Sequence, residues 1–525
     1  MMRKDVDVIV IGAGCAWMIA AFEAETEGAK VVIIDRGPIG IGSNSSLAGG
    51  GFAYPTLNYG PEEYVKDTLY AGKGINRTSL VRLMAEQAPF DISFLSSLGI
   101  DFVESPHVCV VKSPRIDLNP GVTLVKVLAK KVKNSNLIEV LNGFYVTEIV
   151  KDGEKVCGVR GFMKTGEDVF INAPAVVLAT GGAGAIYLKN DNQKGIMGQG
   201  YYLAAKAGLA LWDMEFVQFY PLVIAEPGLP SQPLFPPYPN EARMVNTSGE
   251  DILRKYSINN IIDAVKTSRD QFSAILYQES LTGPVYMDYR KIPVSLWGKQ
   301  PLSLLTKLKF DFQRKPFAVS PAAHFFMGGV QIEENGQTPL PGLFACGEVV
   351  WGLHGANRMG GNALTECLVF GRIAGRNAAQ YALTHSAPVL NKRESSQGCS
   401  NVPSSNREKL VELRHQIREL AWNYAGVVRS EVSMKKGLAE LVGLEMKLKE
   451  IVPLRARDRK LLIDLMSAAF SLKAVLTASL SRKESRGSFI REDFTHQDDV
   501  DWHKNSCVIY EPKNNQFSLS YHPCN

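Results

Sequence analysis

Apolar positions in the first 35 residues fall into two short β-branched runs on either side of a helical stretch. Residues 5–11, DVDVIVI, read as a core strand, and residues 12–15, GAGC, as a turn. Residues 16–28, AWMIAAFEAETEG, carry helix formers and end at Gly28, and KVVIID follows as a second buried strand. Strand, turn, helix and strand in this order open a parallel βαβ unit. Residues 37–60 are rich in Gly, Ser and Asn and predict a loop, and 61–100 predict helix. Strand signals alternate with turns over 137–177, and PAVVLATGGAG is a buried strand that ends in glycines. Residues 216–340 are Pro-rich and less regular, the pattern of an inserted cap. A strand returns at PGLFACGEVV, followed by a Gly-rich loop and the helix ALTECLVFGRIAGRNAAQYA. The polar, Ser-rich stretch 386–406 predicts a linker, and 407–484 show apolar residues at three- and four-residue steps, the helical period. No internal repeat is present.

Composition narrows the class. A chain of 525 residues with 45% hydrophobic and 21% charged residues is an ordinary globular protein of about three domains. The net charge of +5, from 58 basic and 53 acidic residues, gives no basic stripe for nucleic acid. No apolar run reaches the ~18 residues of a membrane span. The apolar N-terminal stretch serves better as a core strand than as a signal peptide, which predicts a cytoplasmic protein. None of the eight cysteines is spaced C-x-x-C, which argues against zinc ribbons, bound iron–sulfur clusters and thioredoxin chemistry.

Three motifs carry chemistry. In the first, Gly12, Ala13 and Gly14 let the backbone turn tightly towards a pyrophosphate at a helix N-terminus. Asp35 follows Gly14 by 21 residues, the separation at which an acid accepts hydrogen bonds from ribose hydroxyls. The third fingerprint position is Trp17 where Gly or Ala is usual, so the indole must displace the helix, point elsewhere or crowd the dinucleotide. The second motif is ATGGAG, residues 179–184, a strand running into glycines. The third is ACGE with GLHGANRMGGNAL. There Glu348 ends a strand, and the amides of Asn362, Ala363 and Leu364 open a helix whose positive end would stabilise a reduced, anionic flavin. Together they predict FAD.

These stretches, with AGLALWDMEFVQFYP, AAHFFMGGVQI, GVVRS, SRKESRGSFIREDF and DDVDWHKNS, resemble the flavoprotein subunits of succinate dehydrogenase and fumarate reductase, a family that includes L-aspartate oxidase. The resemblance covers nearly the whole chain. It implies an α/β fold: a Rossmann-like FAD-binding domain (1–215 and 341–385), an inserted α+β capping domain (216–340) and, after the linker, a C-terminal helical domain (407–525). It places FAD against Gly12, Gly14, Ala16 and Arg36, with Asp35 at the ribose. The loop that follows would contribute Ser43, Asn44, Ser46, Ala48, Gly50 and Gly51. Val146, Ala179, Thr180, Gly181 and Asp213 would complete the cofactor site with Glu348, Arg358, Asn362, Ala363 and Leu364.

The family holds its substrate between flavin and cap and moves hydride to or from a carbon beside a carboxylate. His324 and Arg358 fall on its carboxylate-gripping His and Arg. The cap arginine that transfers the proton maps onto Ala274 in SRDQFSAILYQE, a family histidine is replaced by Tyr220, and an acidic, Gly-rich turn gives way to LFPPYPNEARMVN. Tyr220 and Arg243 are therefore candidate replacement acids, with His354 and Tyr277 behind them. Asn44 stands where respiratory members attach FAD to a histidine, which predicts non-covalent FAD. Three readings stay open. One is an oxidoreductase acting beside a carboxylate or carbonyl, on a substrate other than succinate or fumarate, within a complex holding an iron–sulfur or other electron-transfer subunit. The others are an enzyme oxidising a C–N bond as L-aspartate oxidase does, and an electron-transferring flavin subunit without substrate chemistry.

Overall fold

The structure is a computed structural model that describes residues 2–12, 14–115, 118–236, 238–298, 301–386, 406–453 and 455–524. Ala13 and linker residues 387–405 lie outside the described residues.

Unbroken runs of Val, Ile and Leu suit a sheet covered on both faces. Val8–Gly12, Val31–Asp35 and Ala175–Ala179 are such runs, buried almost throughout. With Ile138–Asn142 and Leu343–Ala345 they form a five-stranded, wholly parallel sheet. From edge to edge the strands are Ile138–Asn142, Val31–Asp35, Val8–Gly12, Ala175–Ala179 and Leu343–Ala345. This is the doubly wound order, which reverses direction between Val8–Gly12 and Ala175–Ala179 and opens a ligand crevice there.

The helix Cys15–Thr26 covers one side of this sheet, and the helix Asn362–Thr384 lies along it. A Cβ on Gly371 or Gly375 would stand 2.8 Å from Ala16 O or 2.2 Å from Ala20 O, so the two helix backbones touch. Trp17 is fully buried, and its Cδ1 lies 3.3 Å from where a Cβ on Gly12 would be. Its indole thus fills the layer between helix and sheet and does not enter the crevice. An antiparallel meander, Phe144–Asp152, Lys155–Met163 and Asp168–Asn172, flanks this body.

The cap is built on a four-stranded antiparallel sheet of Val217–Ile224, Phe317–Phe326, Val285–Asp288 and Arg243–Val245. Register shifts between Tyr220 and Val223, where Pro221 can donate no ladder hydrogen bond. Its separate core runs from Tyr220 to Ala322. By Gly329–Val330 the chain has rejoined the main body, pairing with Leu211–Trp212, so this core is shorter than the 216–340 span read from the sequence.

The C-terminal region contains the helices Asn406–Ala425, Glu431–Lys449 and Ala456–Ser481, which pack on one another. It does not stay helical. Lys504–Glu511 and Gln516–Pro523 form a hairpin that joins Leu211–Trp212. Ala456–Ser481 is long and apolar enough to cross a membrane, with a mean hydropathy of 1.7, yet 83% of its apolar window is buried inside the protein. It serves as the core of this bundle.

Candidate active site

The crevice widens into a cavity of about 460 Å³. At one end is the first glycine turn. Gly12 has φ +143°, and a Cβ there would come within 2.2 Å of Ala179 O, so only glycine lets the chain turn this close to the neighbouring strand. Gly14 precedes the helix Cys15–Thr26, whose Cys15 N donates to Ser45 Oγ (2.9 Å). Burial pushes the Cys15 thiol up to about 12, which leaves it protonated and inert.

Asp35 is buried, and its Oδ2 has no hydrogen-bond partner. Burial raises its carboxyl to about 7 against the opposing amides of Gly37 and Arg36. Arg36 is held by Asp464 (2.5 Å) and by Gly195 O.

Further along, Asn44 Nδ2 donates to Asn192 Oδ1 (2.6 Å) and Glu348 Oε2 (3.5 Å), and its Oδ1 accepts from Gln193 N (3.0 Å). Glu348 Oε1 accepts from Phe326 N (3.2 Å), and burial raises this carboxyl to about 7. Ala16, Ser43, Ala48, Val146, Thr180, Gly181, Ala363 and Leu364 are also cavity walls. These residues fit an adenine dinucleotide: a glycine cradle, an unpartnered buried carboxylate oxygen one strand away, and two helix N-termini facing the same space.

Some residues expected at the cofactor do other work. Ser46 Oγ donates to Ser43 O (2.7 Å) and braces the loop from below. Gly50 sits against Pro120, and Gly51 begins a strand paired with Val110. Asp213 lies outside the cavity and accepts from Trp351 Nε1 (2.6 Å), Asn505 Nδ2 (2.6 Å) and Ser506 N (2.8 Å), tying down the C-terminal hairpin. Asn362 is also behind the wall. Its N–H donates to Met359 O, and its side chain bonds Tyr64 and Thr68.

The cap end gathers a different chemistry. His324 Nδ1 lies 2.7 Å from Asp191 Oδ2, which fixes the ring with Nδ1–H on the carboxylate and Nε2 free. Arg358 is buried over the Phe325 ring (4.8 Å). Its Nη2 donates to Gln218 Oε1 (2.9 Å) and its Nη1 to Met359 O (3.2 Å), while Nε has no partner. Among the described residues no carboxylate lies within ion-pair distance of it. Burial, reinforced by the nearby Arg269 cation, lowers its pKa to about 10.

The candidate acids fare differently. The Tyr220 ring leans on His324 (5.3 Å), but its hydroxyl turns into the cap, bonded to Leu234 O (3.2 Å) and Tyr238 OH (3.0 Å). Burial raises its pKa further, so Tyr220 is poorly suited to deliver a proton. Arg243 is corrected too: it is half exposed on an edge strand, 3.4 Å from Asp251, and is not a cavity wall. His354 pairs with Glu366 (2.9 Å) in the core, and Tyr277 packs on Trp422 (5.9 Å).

Ala274, the position matched to the cap arginine, faces the main core. A cap arginine lies five residues earlier. Arg269, the first residue of the helix Arg269–Ser280, sits over the Tyr220 ring (5.6 Å) and reaches within 3.6 Å of a Cβ position on Gly360, beside Arg358. Its Nε donates to Val265 O (3.3 Å), and its guanidinium makes no ion pair among the described residues. Sequence reading passes over Arg269 because it looks for the cap arginine at Ala274. It misses Asp191 and Gln218 because neither belongs to a recognisable spacing.

Fold and cavity together define an FAD-dependent oxidoreductase. Residues 7–364 match the FAD binding domain family and residues 414–525 the fumarate reductase flavoprotein C-terminal family. The chain belongs to the fumarate reductase and succinate dehydrogenase flavoprotein family, which includes L-aspartate oxidase. It is 30% identical to one of the subunits of the fumarate reductase (CoM/CoB) from Methanothermobacter marburgensis, over 93% of this chain and 94% of that one. It is also 30% identical to the L-aspartate oxidase of Streptomyces coelicolor, over 96% and 92%. Among solved structures, the FrdA chain of E. coli quinol fumarate reductase superposes with a TM-score of 0.85 at 25% identity, covering 100% of this chain and 97% of that one.

Proposed function

We propose that this oxidoreductase acts on a carboxylate-bearing substrate at the carbon next to the carboxylate, and that the substrate is neither succinate nor fumarate. One observation carries the reading: two arginines without acidic partners among the described residues and a His–Asp pair converge at one end of the dinucleotide cavity. FAD bound there would accept or supply hydride. Arg358 would grip the carboxylate, and its unpartnered Nε marks a donor waiting for a ligand. His324, held by Asp191, would donate from Nε2 when protonated. Arg269, at the edge of the cap beside Arg358, would move the proton, the role the family gives a cap arginine, and its presence favours substrate chemistry over an electron-transferring flavin subunit.

FAD is held non-covalently in this account, because the engaged amide of Asn44 offers no ring nitrogen for attachment. Acid precipitation is expected to release the yellow cofactor into the supernatant. In the cytoplasm or at the membrane surface, electrons would pass to a separate iron–sulfur or similar subunit. Relatives that are themselves named as subunits support this reading. C–N oxidation of L-aspartate is the second reading, favoured by the full-length similarity to L-aspartate oxidases.

The test is spectroscopic. Holoprotein reduced under argon is expected to recover its visible flavin absorption on addition of an α,β-unsaturated carboxylate. Bleaching of oxidised holoprotein by L-aspartate would favour the second reading, and no response to either would contradict both.

A further inference from the structure

Three cations gather at the cap end of the cavity, whose other basic wall residues are Arg36, Lys194 and Lys460. Arg358 and His324 are cavity walls, and Arg269 lies beside them. From the cap loop, Pro233 and Phe235 are also cavity walls. From Ala225 to Ala242 this loop holds no Lys, Arg or His. The Phe235 ring sits edge-on to Tyr220 (5.6 Å) and within 3.6 Å of a Cβ position on Gly49, so it bridges the cap and the flavin-domain loop. The hydroxyl of the Tyr220 it packs on is already committed. The Tyr220 and Tyr238 hydroxyls bond each other, and both reach Leu234 O. Two hydroxyl protons serve a carbonyl and a hydroxyl acceptor, and neither is left to receive a second anionic group.

We infer that the ligand is a monocarboxylate with an apolar or aromatic remainder, its carboxylate on Arg358 and His324 and its remainder against Phe235 and Pro233. The inference rests on the carboxylate reading above and narrows its substrate class. A second carboxylate at Phe235 would lose its hydration with no donor in return, whereas an apolar group gains by leaving water.

The measurement is titration of oxidised holoprotein with (E)-cinnamate and with fumarate, following the perturbation of the flavin spectrum. Cinnamate is expected to bind at least about tenfold more tightly than fumarate. In Phe235→Arg the preference should reverse. If wild-type protein binds fumarate as tightly as cinnamate or more tightly, the inference fails while the carboxylate reading stands. If neither ligand perturbs the flavin at millimolar concentration, both fail. The wild-type comparison decides the matter even where the Phe235 variant does not fold.

Discussion

Replacing Arg358 by Met separates binding from stability. Burial makes the guanidinium carry its charge at a cost in the FAD-free protein, its pKa being lowered from 12.5 to about 10. At 1.36 kcal/mol per pKa unit this is about 3 kcal/mol. Because the folded value is depressed for a base, the cost is fully present at neutral pH and vanishes only as pH rises through both values. Met keeps much of the volume and removes the charge. It also leaves Gln218 Oε1 short of a donor, at about 1 kcal/mol, and loses the contact with Phe325, worth roughly another 0.5–1 kcal/mol. FAD-free Arg358→Met protein should therefore be about 1 kcal/mol more stable than wild type and melt roughly 1 °C higher, since a chain of 525 residues changes its unfolding free energy by about 1.1 kcal/mol per degree. Its affinity for carboxylates should fall by at least ~30-fold, the effect of removing one partner of a buried charge pair. Chemical or thermal unfolding of the FAD-free proteins and flavin perturbation titrations of the holoproteins measure the two effects. A variant that melts lower and binds carboxylates unchanged would refute the reasoning.

Two further predictions concern neighbouring groups. Asp35, raised from 3.8 to about 7, is held neutral by burial, so the stability it lends the FAD-free protein is present below pH 4 and lost as pH rises through 7. Ribose hydroxyls favour the ionised carboxylate, so FAD affinity should climb between about pH 5 and 7, and Asp35→Asn should flatten that profile in fluorescence titrations. Tyr220→Phe should change turnover less than ~3-fold and lower stability by about 1 kcal/mol, since the lost hydroxyl bonds only within the cap. A large loss of turnover with unchanged folding would return Tyr220 to the proton path.

The dinucleotide half of the protein was legible because its chemistry is written in local runs. Buried strands, Gly12 and Asp35 lie within one βαβ unit, and period and spacing alone place them. Trp17 broke the spacing rule, yet it lies fully buried against Gly12 and is not a cavity wall. The substrate half depends on distant contacts. Arg269, Gln218 and Asp191 come from three segments and meet His324 and Arg358 only after the cap folds back, so no local spacing announces them. Arg243 and Tyr220 were misjudged for the same reason: residue type suggested an acid, but burial and partners decide which way a side chain faces. Asp213 and Asn362 occupy motif positions close to the cofactor in sequence, yet they serve the frame around it.

The account stands or falls on Arg269 as the cap arginine. The deciding measurement is the rate at which an unsaturated monocarboxylate restores flavin absorption in reduced holoprotein, compared with Arg269→Ala in the same stopped-flow series. The account predicts recovery in wild type and a rate lower by about two orders of magnitude or more in the variant, the usual worth of a positioned proton donor, with flavin content unchanged. Equal rates in the two proteins would contradict it.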